Sequence, residues 1–124
     1  MRFFILLALF SFFTGIKAQN MTISSKLNSE EVLREAKTGH FQWVFPENTT
    51  AESLEKLAKY YKANFTYTFN DASKLVDVYP VIDSEDTRRV MLRFLGANQV
   101  SGIKVGNETL ELWIFYEKFM KIKG

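Results

Sequence analysis

The stretch from Phe65 to Val81, FTYTFNDASKLVDVYPV, constrains the fold of this chain more than any other. Phe65, Tyr67 and Phe69 alternate with Thr66 and Thr68, the period-two pattern of a half-buried strand. Asn70-Asp71-Ala72-Ser73 supplies turn residues, and the return strand places Val76 and Val78 on the aromatic face. Leu75, Asp77 and Tyr79 are left on the opposite face. Pro80, which has no N–H for a ladder bond, marks the strand end. The stretch therefore reads as a hairpin with one face committed to a core.

A similar unit flanks the hairpin on each side. Phe41 to Phe45 alternates large aromatics with smaller residues and stops at Pro46. Thr49 or Thr50 then caps a helix over 52–62, in which Leu54, Leu57, Ala58 and Tyr61 fall on one face. After the hairpin, Asp83 or Ser84 caps a second helix with Glu85 and Asp86 in its first turn, where the helix dipole favours acids. Val90, Met91, Phe94 and Leu95 form its inner stripe, Arg88, Arg89 and Arg93 its outer side, and Gly96 its close. Val100 to Val105 reads as another strand. Upstream, Asn28 with Glu31 resembles a capping box and opens a short helix that Gly39 ends. The tail, 109–123, reads as extended to about Leu112 and helical beyond.

This order predicts an α+β chain with a ferredoxin-like βαββαβ core: a two-layer sandwich of a four-stranded antiparallel sheet with two helices on one face. An extra N-terminal helix and an aromatic C-terminal helix or extension complete the expectation.

Arg2, the apolar run Phe3 to Phe13 and the small residue Ala18 predict a cleaved secretory signal over 1–18. A flexible arm over 19–27 and a single domain over 28–124 follow. The chain holds 16 Lys plus Arg and 14 Asp plus Glu, and loss of Arg2 and Lys17 leaves 14 of each. A neutral mature chain has no electrostatic motive for binding nucleic acid. It has no cysteine, hence no disulfide and no thiolate ligand, so core burial must hold it together. The implied location is secreted or periplasmic, with bacterial export favoured and no stable membrane insertion after cleavage. Sequons at Asn20, Asn48, Asn64 and Asn107 are read as incidental.

In element order, element length and its NDAS hairpin, 41–105 resembles a heavy-metal-associated domain. That family carries a Cys-x-x-Cys site in the loop after its first strand. The matching loop here, Pro46-Glu47-Asn48-Thr49-Thr50-Ala51, has no cysteine, so the resemblance implies the fold without metal transfer. A weaker resemblance, over 41–112, is to the secretin and TonB short N-terminal domain, through ESLEKLAKYYKANF and GIKVGNETLEL. It implies a protein-interaction module.

No catalytic, cofactor-binding or metal-ligating residue is assigned. His40 is the only histidine and is read as a surface residue. No nucleophile motif, zinc motif or phosphate-cradling glycine loop accompanies it. Met21, Met91 and Met120 are read as packing residues, and the acids at 71, 77, 83, 85 and 86 as turn and cap residues. The sheet face without helices is the candidate interaction face, through Thr66, Thr68, Tyr79 and Trp113, unless the segment from Trp113 to Met120 folds over it. The expected function is non-enzymatic interaction with a protein partner or a second copy. The alternative is carriage of a small apolar ligand between the sheet and the aromatic tail.

Overall fold

The computed structural model describes residues 21–122. The segment read as a secretory signal lies outside them. The elements are β1 (Met21–Ser24), α1 (Ser29–Ala36), β2 (Phe41–Val44), α2 (Ala51–Ala58), β3 (Phe65–Asn70) and β4 (Leu75–Pro80). They continue as α3 (Glu85–Ala97), β5 (Val100–Val105), β6 (Glu108–Glu111) and α4 (Leu112–Phe115). A 3-10 turn, Lys59–Tyr61, extends α2, and a π-helical turn, Tyr116–Met120, extends α4.

Local chemistry explains the helix starts. Asn28 caps α1 in a reciprocal box with Glu31, and Thr50 caps α2 in a box closed by Ser53. Ser84 caps α3, accepting from the Thr87 N–H at 3.2 Å. Gly39, at φ 80°, turns the chain out of α1. A Cβ there would sit 2.7 Å from both Asp83 Oδ1 and Pro80 Cγ, so only glycine fits. The hairpin keeps its expected register, Phe65 opposite Pro80 through Asn70 opposite Leu75. The Asn70 side chain accepts from the Ala72 and Ser73 N–H groups and closes the turn.

The sheet departs from the ferredoxin-like expectation. It has six strands in the order β3-β4-β2-β1-β5-β6, with β1 and β5 parallel and every other pair antiparallel. A four-stranded antiparallel sheet would bring β2 directly beside β5. Here β1 lies between them, inside the stretch read as a flexible arm. Its Ile23 is fully buried, and four residues are too few to show a period. The described residues hold four α-helices, with α1 and the short α4 accompanying the pair α2 and α3.

Contact between β1 and β2 is limited to Ser24 opposite Val44, after which the two strands diverge. Leu27, Val32, Phe41, Trp43 and Phe115 border the opening and leave a void of only about 10 Å³.

All the large buried side chains meet on one face of the sheet. Ile23, Phe41, Trp43, Phe65, Val76, Val78, Ile103 and Val105 from the strands join Leu54 and Ala58 of α2, Met91, Phe94 and Leu95 of α3, and Phe115, Phe119 and Met120 of the tail. Phe94 packs against Phe65 at 5.2 Å between ring centroids, and Phe115 meets Trp43 edge-on at 6.2 Å. The aromatic tail therefore covers the helix side of the sheet. The expectation that it would fold over the opposite face is corrected.

Candidate functional site

The uncovered face is built from the strand positions that alternate with the core. It carries Thr22, Gln42, Val44, Thr66, Thr68, Leu75, Asp77, Tyr79 and Lys104, all exposed or half-exposed. Tyr79 is 43 % exposed, and just beyond it Val81 and Ile82 are 56 % and 73 % exposed. A short apolar strip thus borders the polar face where β4 ends.

His40 organises the polar centre. Its Nδ1 lies 2.6 Å from Glu35 Oε1 of α1, and its Nε2 lies 2.9 Å from Asp77 Oδ1 of β4. A carboxylate only accepts, so both contacts are hydrogen bonds only when both ring nitrogens carry protons. Gln42 donates to the same Asp77 oxygen at 2.6 Å, and the Tyr79 ring stacks on the imidazole at 4.4 Å with 4° between planes. The His40 side chain is 13 % exposed. The reading of His40 as a surface residue is corrected: it joins α1 to the sheet. No local pattern in the sequence reports this role. It could be found only once β2 is registered against β4, since extending β2 back by one residue sets His40 opposite Tyr79.

The arrangement is polar and held from both sides. Each imidazole nitrogen faces a carboxylate, so the ring bridges α1 and β4. Among the described residues no group of three or more His, Cys, Asp or Glu side chains is placed to hold a metal ion. No helix of the described residues is long and apolar enough to cross a membrane.

The outer edge of the face is β3. Its sequence, FTYTFN, carries no charge and no proline. Asn64 C=O accepts from the Val81 N–H, which sets the phase of the ladder with β4. The backbone groups of Phe65, Tyr67 and Phe69 consequently point away from β4, and β3 ends the sheet. Most native edges are blunted by charge, proline or a bulge. The opposite edge, β6, follows that rule, being four residues long with Glu108 and Glu111.

The structure places the sequence-predicted residues in two groups. Thr66 lies opposite Tyr79 and Thr68 opposite Asp77, so these two threonines and Tyr79 share one end of the open face. Trp113 is 62 % exposed but stands at the start of α4, where its indole N–H donates to Glu111 at 2.7 Å. Glu111 belongs to β6, five strands from β3, or about 24 Å at the usual strand spacing. Trp113 is thus not brought together with the other three.

The expected basic helix face dissolves. Arg88 is 4 % exposed and forms a bidentate pair with Asp83 at 2.8 Å. It also donates to the carbonyls of Ala36 and Met120. Arg89 donates to Tyr116 Oη and faces Glu85, and together these hold its guanidinium above its ordinary value.

On the helix side, Tyr67 donates to Glu55 at 2.8 Å. Burial first, then this bond, pushes the Tyr67 phenol up to about 12. The same bond, with Lys62, lowers Glu55 below the usual carboxylate range.

No family model, no curated protein and no solved structure matches this chain.

Proposed function

We propose that this chain is a non-enzymatic protein-interaction module. In this reading it acts through the open sheet face and its β3 edge, and a second copy of the chain fits that edge. One observation carries the reading. The helices pack on one side of a six-stranded sheet, and β3 at its end is a six-residue, uncharged edge that is unpaired among the described residues. An edge of that kind is a template for strand addition.

The geometry suits self-pairing. In an antiparallel pair of β3 strands centred on Tyr67, the outward groups of Phe65, Tyr67 and Phe69 form the new ladder. Thr66 of one copy then stands opposite Thr68 of the other, a favourable cross-strand pair on the open face. No like charges meet.

The small-ligand alternative has less support. The void bordered by β2, α1 and Phe115 is about 10 Å³, room for one water at most and far too small for an organic ligand.

The mass in solution tests the proposal. The protein is expected to be a dimer at micromolar concentration, and Thr66→Lys with Thr68→Lys is expected to yield a folded monomer by setting lysines opposite each other. A wild-type monomer at millimolar concentration, or a dimer indifferent to the two lysines, rejects this reading.

A further inference from the structure

A groove of about 410 Å³ opens in the helix layer, between α1 and the C-terminal turn. Leu33 of α1 and Lys37, which follows its last residue, form one wall, and Lys118, Lys121 and Ile122 form the other. Leu33 and Lys37 are one helical turn apart, so each wall offers an apolar side chain together with an ammonium group. Leu33 and Ile122 are 45 % and 39 % exposed, large apolar side chains that the core does not use. Phe119 and Arg88 complete the floor.

The charge of the groove is one-sided in a chain of nearly balanced composition. Among the described residues that line it, the only acid, Asp83, is consumed by the bidentate pair with Arg88. Glu117 and Glu108 approach Lys121 and Lys118 at 3.5 and 3.7 Å, exposed contacts of the kind that contribute little and exchange readily. Lys37 has no carboxylate within 4.0 Å among the described residues. A ligand that satisfied both features would carry one anionic head and one apolar chain. The volume lies in the range of small-molecule sites.

We infer that this groove binds a small soluble anionic amphiphile, a medium-chain alkyl carboxylate. Its head lies among Lys37, Lys118 and Lys121, and its chain lies along Leu33, Phe119 and Ile122. The site is separate from the open sheet face and stands or falls without it.

Titration of the protein with decanoate below its micelle threshold, followed by methyl NMR, tests the inference. The Leu33 and Ile122 methyls should shift together, with those of Val81 and Ile82 unmoved. Octanoate should bind roughly tenfold more weakly, since two methylenes leave the groove. Decan-1-ol, which lacks the charge, should bind at least about fivefold more weakly. Lys37→Glu with Lys121→Glu should weaken decanoate at least about tenfold while leaving the melting temperature in place. Both lysines are surface groups, and if the pair failed to fold, the wild-type decanoate and decan-1-ol comparison would still decide. Equal affinity for the acid and the alcohol, no shift at Leu33 and Ile122, or unchanged affinity in the folded double variant would overturn the assignment. Sedimentation with phosphatidylglycerol vesicles, unaffected by decanoate, would also overturn it, because the groove would then serve a lipid surface.

Discussion

Arg88→Met is the sharpest stability test this structure offers. The side chain it removes is 5 % exposed and joins three parts of the chain: Asp83 ahead of α3, the Ala36 carbonyl that ends α1, and the Met120 carbonyl in the tail. Methionine has similar length, so the substitution leaves little cavity and isolates the polar loss. The Met120 carbonyl loses its side-chain donor at about 1 kcal/mol, the Ala36 carbonyl keeps the Gly39 N–H and loses about 0.5 kcal/mol, and Asp83 loses its bidentate partner. The Asp83 side chain is 28 % exposed, so water recovers much of its cost and the charge term falls to about 1.5 kcal/mol, below the range for a fully buried pair. The total comes to about 3 kcal/mol, a large share of the 5–15 kcal/mol typical of a domain. In melting temperature that is a drop of roughly 15 °C. Urea unfolding followed by circular dichroism measures it, and amide exchange should show α1 and the C-terminal turn opening first. Asp83→Asn added to Arg88→Met should restore about 1 kcal/mol, because the uncompensated charge goes with it. A loss below about 1 kcal/mol for Arg88→Met would refute the argument, since it would mean that solvent replaces the guanidinium freely.

Three further expectations follow from the same geometry. Gly39→Ala should cost about 2 kcal/mol in urea unfolding, because φ is 80° and the new Cβ would meet Asp83 Oδ1 and Pro80 Cγ at 2.7 Å; a neutral result would show that the turn relaxes. Phe115→Ala should cost about 4 kcal/mol and alter the near-ultraviolet signal of Trp43, which Phe115 meets edge-on; a loss under about 1 kcal/mol would show that the tail covers little. Tyr67 should ionise late in an alkaline absorbance titration, near pH 12. The folded chain then keeps a proton that the unfolded chain releases near its ordinary value of 10, so stability falls as pH rises from 10 to about 12. Tyr67→Phe should abolish that component, and a Tyr67 titration at the ordinary value would contradict the Glu55 bond.

Much of the local structure was legible because it is written in short-range patterns. The alternation at 65–69, the return through Val76 and Val78, and the caps at Asn28 and Ser84 each need only a few neighbouring residues, and each is found. The sheet order was not legible. Met21–Ser24 is too short for a period, and its place is set by parallel pairing with residues near 100, which no local pattern reports. Inserting that strand between β2 and β5 is what overturns the ferredoxin-like arrangement. The tail raised a different difficulty. Phe115, Phe119 and Met120 announce burial without saying which sheet face they cover, and the filled space over Phe41 and Trp43 decides it.

The candidate site divides in the same way. Thr66, Thr68 and Tyr79 were readable as one face because strand parity is a local property. Trp113 was assigned to that face because the tail was expected to reach it, whereas the indole stands at the start of α4, beside β6 at the far edge. His40 was underestimated because its partners come from α1 and β4, 5 and 37 residues away, and meet only through the register. Arg88 looked like part of a charged surface because three arginines on one helix read as solvated, yet the C-terminal turn folds over one of them.

The interaction reading rests finally on the outer edge of β3, and amide exchange there tests it most directly. With a second copy paired along the edge, the amides of Phe65, Tyr67 and Phe69 should be protected in a concentration-dependent way, and diluting the protein or adding Thr66→Lys with Thr68→Lys should release all three together. Free exchange of these amides at every concentration, with the Thr66 and Thr68 amides still protected by β4, would contradict the account.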